Sequence, residues 1–282
     1  QAWKPVTVFL NGQYWGHMNL RERVDRFFIA QFEGLSLDQA DEMDILEANG
    51  SVNFGSNKAY RAMLKKIKAG SPATNPDDLQ YILDNVDVDN LFEYMALEMF
   101  VGNSDIGNIR YYRLHQEGSK WKWIWYDADY GLYSSKFNSP WSYLKVKGMG
   151  EQKIDNTIFL KLLEHPDYKR KFLEKLADVY KTFTTEYMTQ VLDGVVAEIQ
   201  PEMKNHWERW GELNDKAVTS EVPTTIDGAY TYWESRVNRL YNTLKVRPHR
   251  LWDFIKDEFK LTKTEMEELF GPQPDYPDDA VL

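Results

Sequence analysis

Asn103-Ser104-Asp105-Ile106-Gly107-Asn108 and Trp125-Tyr126-Asp127-Ala128-Asp129-Tyr130-Gly131 are the two stretches on which the fold and the chemistry turn. Each sets carboxylates beside a glycine at the end of an apolar element. Between them, Ile109 to His115 and Lys120 to Tyr126 read as paired strands, joined by the turn formers Gln116-Glu117-Gly118-Ser119. A hairpin returns the chain to where it began, so Asp105, Asn108, Asp127 and Asp129 are expected to meet in space. Oxygen ligands converging in that way suit Mg²⁺ and phosphate chemistry.

Phosphoryl transfer asks three things of side chains: a carboxylate to orient the attacking hydroxyl and take its proton, oxygen ligands for the metal, and a cation to offset charge in the transition state. Asp105 stands where the first is needed, at the mouth of a loop that follows an apolar helix. Asn108 follows across Gly107 with an amide oxygen to offer, and is a candidate metal ligand with Asp127 and Asp129. Side chains two apart in a strand point the same way, which puts Asp127 and Asp129 on one face. Two carboxylates so placed repel each other unless a cation sits between them. Taken singly, each residue is better read as a turn former or a helix cap. The set of four, flanked by Trp123, Trp125 and Tyr126, favours the cation site.

Working outward, Val6, Val8 and Leu10 alternate, Asn11-Gly12 is a two-residue turn signal, and Tyr14, Gly16, Met18 and Leu20 alternate on the return. A helix is predicted from Asp25 to Phe32, closed by Gly34. A polar, glycine-containing segment fills Asp38 to Asn57, a helix spans about Lys58 to Lys68, and Gly70 to Asp77 reads as loop. Asp87 or Asp89 caps a largely buried helix carrying Leu91, Tyr94, Met95, Leu97, Met99 and Phe100, which leads into Asn103. After Gly131 comes a long loop to Gly150, and from Asn156 the pattern is helical. Stripes such as Tyr187, Val191, Leu192, Val195 and Ile199, or Ile226, Tyr230, Trp233, Val237, Leu240 and Leu244, read as core-facing.

Composition narrows the partners. A net charge of −10, spread along the chain, argues against nucleic acid, which needs a clustered cationic face. There is no cysteine, so disulfides and thiolate metal sites are excluded, and His17, His115, His165, His206 and His249 lack zinc-ligand spacing. No apolar run approaches the ~20 residues of a transmembrane helix. The 10 Trp and 17 Tyr are read as core filling, since aromatics carry the largest apolar area per residue.

Several stretches together resemble the signature of the spore-coat protein H (CotH) kinase family. They are Val8-Phe9-Leu10-Asn11-Gly12-Gln13-Tyr14-Trp15-Gly16 with Leu20-Arg21-Glu22-Arg23-Val24-Asp25, then Asn103-x-Asp105 with Asn108, then Trp125-Tyr-Asp127-x-Asp129-x-Gly131, and finally the helix start Leu163-Glu-His-Pro166-Asp-Tyr168. The resemblance implies an atypical protein kinase that uses ATP and Mg²⁺ to phosphorylate Ser or Thr of a protein substrate. It implies an α+β, protein-kinase-like fold with a truncated N-terminal β-hairpin region and a predominantly helical C-lobe. Residues 1–24 would be a remnant of the β-rich N-lobe and hinge, 25–155 the catalytic core of the C-lobe, 156–270 the helical remainder of that lobe, and 271–282 a disordered tail.

Carried over residue by residue, Asp105 matches the catalytic Asp, and Asp127 and Asp129 the metal-binding position, completed as an Asp-Tyr-Gly variant by Tyr130-Gly131. Backbone groups of Glu22, Arg23 and Val24 would face adenine. The family's phosphate-contacting Lys is expected upstream of the Val6 hairpin, and no G-x-G-x-x-G loop occurs in the sequence given. The resemblance also implies an extracytoplasmic, cell-surface or spore-coat setting. Two other readings remain: a non-catalytic carbohydrate- or surface-binding protein using Trp141, Trp207, Trp210 and Trp233, and a Mg²⁺- or Ca²⁺-dependent hydrolase using the same carboxylates.

Overall fold

The computed structural model describes residues 2–145, 154–210 and 225–278. The architecture is mixed α+β, with small antiparallel sheets and a helical C-terminal region. Two compact units divide the chain: one combines the residues up to Arg23 with Thr184–Val246, the other Val24–Phe183 with Arg247–Tyr276. No described helix is long and apolar enough to cross a membrane.

In the first unit, β1 (Trp3–Leu10) and β2 (Gln13–Arg21) pair antiparallel, with Val6 opposite Met18 and Val8 opposite Gly16. Asn11 and Gly12 both take positive φ, 51° and 79°, the geometry that lets a two-residue turn follow the twist of its strands. Helix α8 (Thr185–Trp210) lies on β2 and packs closely against Gly16. A Cβ on Gly16 would sit 2.8 Å from Trp210 Nε1 and 2.9 Å from His206 Nδ1, at a φ of 119°. Trp210 Nε1 donates to the Trp15 carbonyl at 2.6 Å, and the Tyr14 hydroxyl donates to Glu202. Helix α9 (Ile226–Phe259) runs beside α8 within this unit, joined by Tyr241 to Asp193 at 2.6 Å and Thr185 to the Leu244 carbonyl at 3.1 Å. Two expected core residues face outward: Tyr187 is 49% exposed and Val191 47%. A two-stranded sheet and two helices have too little apolar surface to cover every residue of such a stripe.

The His17 N–H donates to His206 Nδ1 at 3.1 Å, so His206 must be neutral at that nitrogen. Burial and the neighbouring His17 hold its pKa below the ordinary value, while Glu202 pulls the other way. A lowered folded pKa means stability that is full above the unfolded value of about 6.5 and is lost as pH falls below it. Between about pH 7.5 and about 5.5 the melting temperature should therefore drop more in the wild type than in His206→Asn, whose oxygen accepts without titrating. Equal drops would remove His206 from the pH response.

The second unit is built on a four-stranded antiparallel sheet of order β4 (Ser51–Phe54), β3 (Met43–Glu47), β5 (Arg110–Leu114), β6 (Lys122–Ile124). The central pair sets Ile45 opposite Tyr112 and Leu46 opposite Tyr111. Alternation sends the two sets to opposite faces. Met43, Ile45, Tyr112 and Leu114 pack with Ile29 and Ala30 of α1 (Arg26–Phe32), while Leu46 and Tyr111 join the main core. β3 and β4 lie inside the segment from Asp38 to Asn57, read from the sequence only as polar and glycine-containing. β3 is buried on both faces, so it shows no period-two pattern. Helix α3 (Pro76–Asn85) begins inside the expected Gly70 to Asp77 loop, with Pro76 in its first turn and the Asn75 side chain accepting from the Asp77 N–H at 3.1 Å.

Helices α2 (Lys58–Ala69), α6 (Thr157–Leu163), α7 (Pro166–Thr182) and α10 (Lys263–Phe270) complete the unit, with the last part of α9. They surround α4 (Val88–Val101), which is buried on nearly every side. The rings pack edge to face, Phe159 on Phe172 at 4.8 Å and Phe92 on Phe172 at 5.4 Å, so core filling is what much of the aromatic content does. Beyond α10, the Pro274 carbonyl lies 2.7 Å from His249 Nδ1, and Tyr276 stacks edge-on against the His249 ring at 5.2 Å.

Candidate active site

Helix α4 delivers the site. Asp87 caps its start by accepting from the Asn90 N–H at 3.1 Å, and Gly102 ends it in the left-handed region at φ 64°. Arg247 of α9 lies across that end, 2% exposed. It donates to the Phe100 carbonyl at 2.6 Å, the Met99 carbonyl at 2.9 Å, the Phe137 carbonyl at 3.2 Å and Ser139 Oγ at 2.8 Å. A guanidinium thus satisfies the last carbonyls of the helix, where a cation is favoured. Burial pushes its pKa down to about 10.

From Gly102 the chain turns sharply. The Asp105 N–H donates to Asn103 Oδ1 at 3.0 Å, and the Asn108 N–H to the Asp105 carbonyl at 3.2 Å. β5 then leaves for its turn, and the register of Arg110 opposite Ile124 brings the chain back beside Asn108. Asp127 and Asp129 lie past the end of β6, not within it. Asp127 takes φ 54°, so a left-handed turn, not strand alternation, orients this pair. The loop is tied back to α4 by the Leu132 N–H, which donates to the Val101 carbonyl at 2.7 Å. Gly131 is needed there, because a Cβ would lie 2.8 Å from the Ala128 carbonyl and 3.0 Å from Val101 Cγ2.

The two loops meet. Asn108 Nδ2 donates to Asp127 Oδ2 at 2.5 Å, and the Tyr126 hydroxyl donates to Asn108 Oδ1 at 2.7 Å. Asp105 has its pKa raised, first by burial, then by the fields of Asp129 and Asp127, against a hydrogen bond from Asn108. The carboxylates of both loops are therefore close enough to feel one another. Asn108 stands between them with its amide nitrogen toward the acids and its oxygen already accepting from Tyr126. Asp105, Asn108 and Tyr126 line a cleft of about 650 Å³ together with Glu47, Ser51 and Arg110.

Of the segment expected at adenine, Val24 is buried and its carbonyl accepts from Arg110, which also pairs with Glu47 at 3.3 Å. Glu22 and Arg23 belong to the other unit, where Glu22 accepts from the Ala2 N–H. Tyr126, Arg110 and Glu47 are site residues that sequence reasoning did not single out as such; their signal was only position, at the ends of strands flanking the acidic loops. The tryptophans weighed as a sugar platform are partly buried. Trp210 packs edge-on against Trp15 at 5.0 Å, and the Trp141 ring lies 4.7 Å beneath Lys145 Nζ.

Among the described residues no group of three or more His, Asp or Glu side chains is arranged to hold a metal ion. Mg²⁺ characteristically takes one or two carboxylates plus water and substrate phosphates, a use that one or two acids of this loop pair, Asp127 and Asp129, suffice for.

The family model described as "CotH kinase protein" matches residues 1–251. A search of curated proteins returned no match.

Proposed function

The chain belongs to the CotH kinase protein family, and on that premise we propose that it transfers the γ-phosphate of ATP to a Ser or Thr hydroxyl of a protein substrate. The observation carrying this reading is the meeting of the two acidic loops, where Asn108 donates to Asp127 at 2.5 Å across a hairpin and Asp105 is raised first by burial and then by the charges of Asp129 and Asp127. In the proposed reaction the acceptor hydroxyl hydrogen-bonds to Asp105. Its proton passes to that carboxylate as the new O–P bond forms. The bond from the γ-phosphorus to the bridging oxygen breaks, and ADP leaves with that electron pair. The raised pKa makes Asp105 a better proton acceptor than an exposed Asp.

Asp127 and Asp129 would hold Mg²⁺, which supplies charge neutralisation on the phosphates. Asn108, its oxygen engaged by Tyr126, spaces Asp105, which lines the cleft, from Asp127. The family suggests ATP, a divalent metal and a protein acceptor, and is associated with the spore coat. Placement of this chain at a cell surface or spore coat is part of the proposal.

The test is incubation with labelled ATP, Mg²⁺ and a Ser-rich protein acceptor. Label on acceptor Ser or Thr supports the kinase. ATP consumed without acceptor label supports the hydrolase reading instead. Failure to bind nucleotide, with polysaccharide binding lost on Trp→Ala exchange, supports the carbohydrate-binding reading.

A further inference from the structure

Glu98 is a carboxylic acid buried inside α4, 1% exposed, one turn before the loop that carries Asp105. Isolated charges of this kind are expensive to bury, so their partners explain them. The Tyr143 hydroxyl of α5 (Ser139–Tyr143) donates to Glu98 Oε2 at 2.8 Å. The side chains of Asn103, Trp125 and Tyr94 also hydrogen-bond to it, and together they pull its pKa down against a larger upward push from burial. Tyr143 reaches the Asn103 carbonyl as well, at 3.2 Å.

The partners are not scattered. Asn103 is 1% exposed, its side-chain oxygen accepts the Asp105 N–H at 3.0 Å, and its own N–H donates to the Glu98 carbonyl at 3.2 Å. Its amide nitrogen is the only donor of that side chain, and it bonds to Glu98. The carboxylate therefore fixes which way the Asn103 amide faces, and so whether an oxygen meets the Asp105 N–H. Trp125, a second partner, opens the other acidic loop, two residues before Asp127. One buried acid thus touches the root of both loops.

We infer that Glu98 is a positioning residue, which holds Asn103 and Trp125 so that Asp105 and Asp127 meet at the geometry described above. Its role in catalysis rests on the kinase reading; its role in ordering the loops does not. A carboxylate can accept from all of these groups at once, and the Asn103 amide nitrogen and the Trp125 indole N–H can only donate. Gln keeps the size but offers one acceptor oxygen in place of two and turns an NH₂ into the cluster, which weakens the pairing of those donors.

The test uses the full chain and reads two quantities. By nitrogen-edited NMR, the Asp105 amide in Glu98→Gln should exchange with solvent about 10-fold faster than in the wild type, while amides in the centre of α7 keep their rates. In the phosphotransfer assay, kcat for Glu98→Gln should fall about 10- to 100-fold with KM for ATP unchanged, as expected for misplacement of the reacting groups. Asn103→Ala should give a similar loss, and the double variant no further loss, since the two act through one contact. Should Glu98→Gln not fold, Tyr143→Phe deletes one shared donor and adds nothing. It should still speed Asp105 exchange and lower kcat severalfold. Unchanged Asp105 exchange in these variants, or losses in kcat that multiply, would overturn the inference. Faster Asp105 exchange in the variants, together with a wild type that transfers no phosphate, would leave loop positioning standing and count against the kinase reading alone.

Discussion

Replacing Asp105 by Ala should reduce phosphate transfer by about 10²- to 10⁴-fold, the range that general base and positioning groups supply. Calorimetry should show ATP/Mg²⁺ binding little changed, because nucleotide affinity is assigned to Asp127 and Asp129. The structure adds a condition. Asp105 is raised first by burial and then by the charges of Asp129 and Asp127, so Asp127→Asn removes one of those charges and should lower the pKa of Asp105. In Asp127→Asn, nucleotide binding is lost as well as transfer. The two variants are therefore expected to separate: one binds and does not transfer, the other does neither. Transfer in Asp105→Ala equal to that of the wild type would remove it from the mechanism.

The second large effect is on stability, and it comes from the end of α4. Arg247 has four acceptors and no described carboxylate partner, so Arg247→Ala strands the Phe100 carbonyl, leaves those of Met99 and Phe137 with Ser139 as donor, and opens a cavity. A loss of about 3–5 kcal/mol is expected, comparable to breaking a buried ion pair. Gly102→Ala should also be costly. Its φ of 64° disfavours any Cβ, and that Cβ would fall 2.5 Å from Arg247 Cζ and 2.8 Å from Nη1. The conformational cost alone is about 1–2 kcal/mol, and the clash adds to it. In the Arg247→Ala background the clash is gone, so Gly102→Ala should cost only the conformational part. Urea denaturation followed by near-ultraviolet circular dichroism measures all three variants. Strict additivity would show that Arg247 is not packed against Gly102.

The meeting of the two loops at the candidate site was legible in the sequence because it is local. Two acidic loops, each beside a glycine, joined by a turn with alternating strands, dictate convergence, and the observed pairing of Arg110 with Ile124 is what that pattern implies. The cap at Asp87, the Asn11-Gly12 turn and the helix closing before Gly34 were readable for the same reason. The central strand β3 was not. Met43-Asp44-Ile45-Leu46-Glu47 is buried on both faces and so loses the alternation that marks a strand. Its Asp44 looks like a loop residue, yet it is satisfied by the Ser56 N–H at 2.7 Å and by His115 at 3.1 Å.

The orientation of Asp127 was hidden because a positive φ at a non-glycine residue is a tertiary outcome. Glu98 and Arg247 were passed over as ordinary helix residues, since periodicity reports which face is apolar and not which charge is buried inside it. A lone glutamate within Met95-Ala96-Leu97-Glu98-Met99-Phe100 was the available signal.

Paramagnetic broadening by Mn²⁺ in the presence of ATP tests the shared cation cradle most directly. Amides of Asn108 and of Asp127 to Asp129 should broaden together, lose the effect together in Asp127→Asn, and recover when Mg²⁺ is added in excess. Broadening confined to one loop, or absent from both, would contradict it.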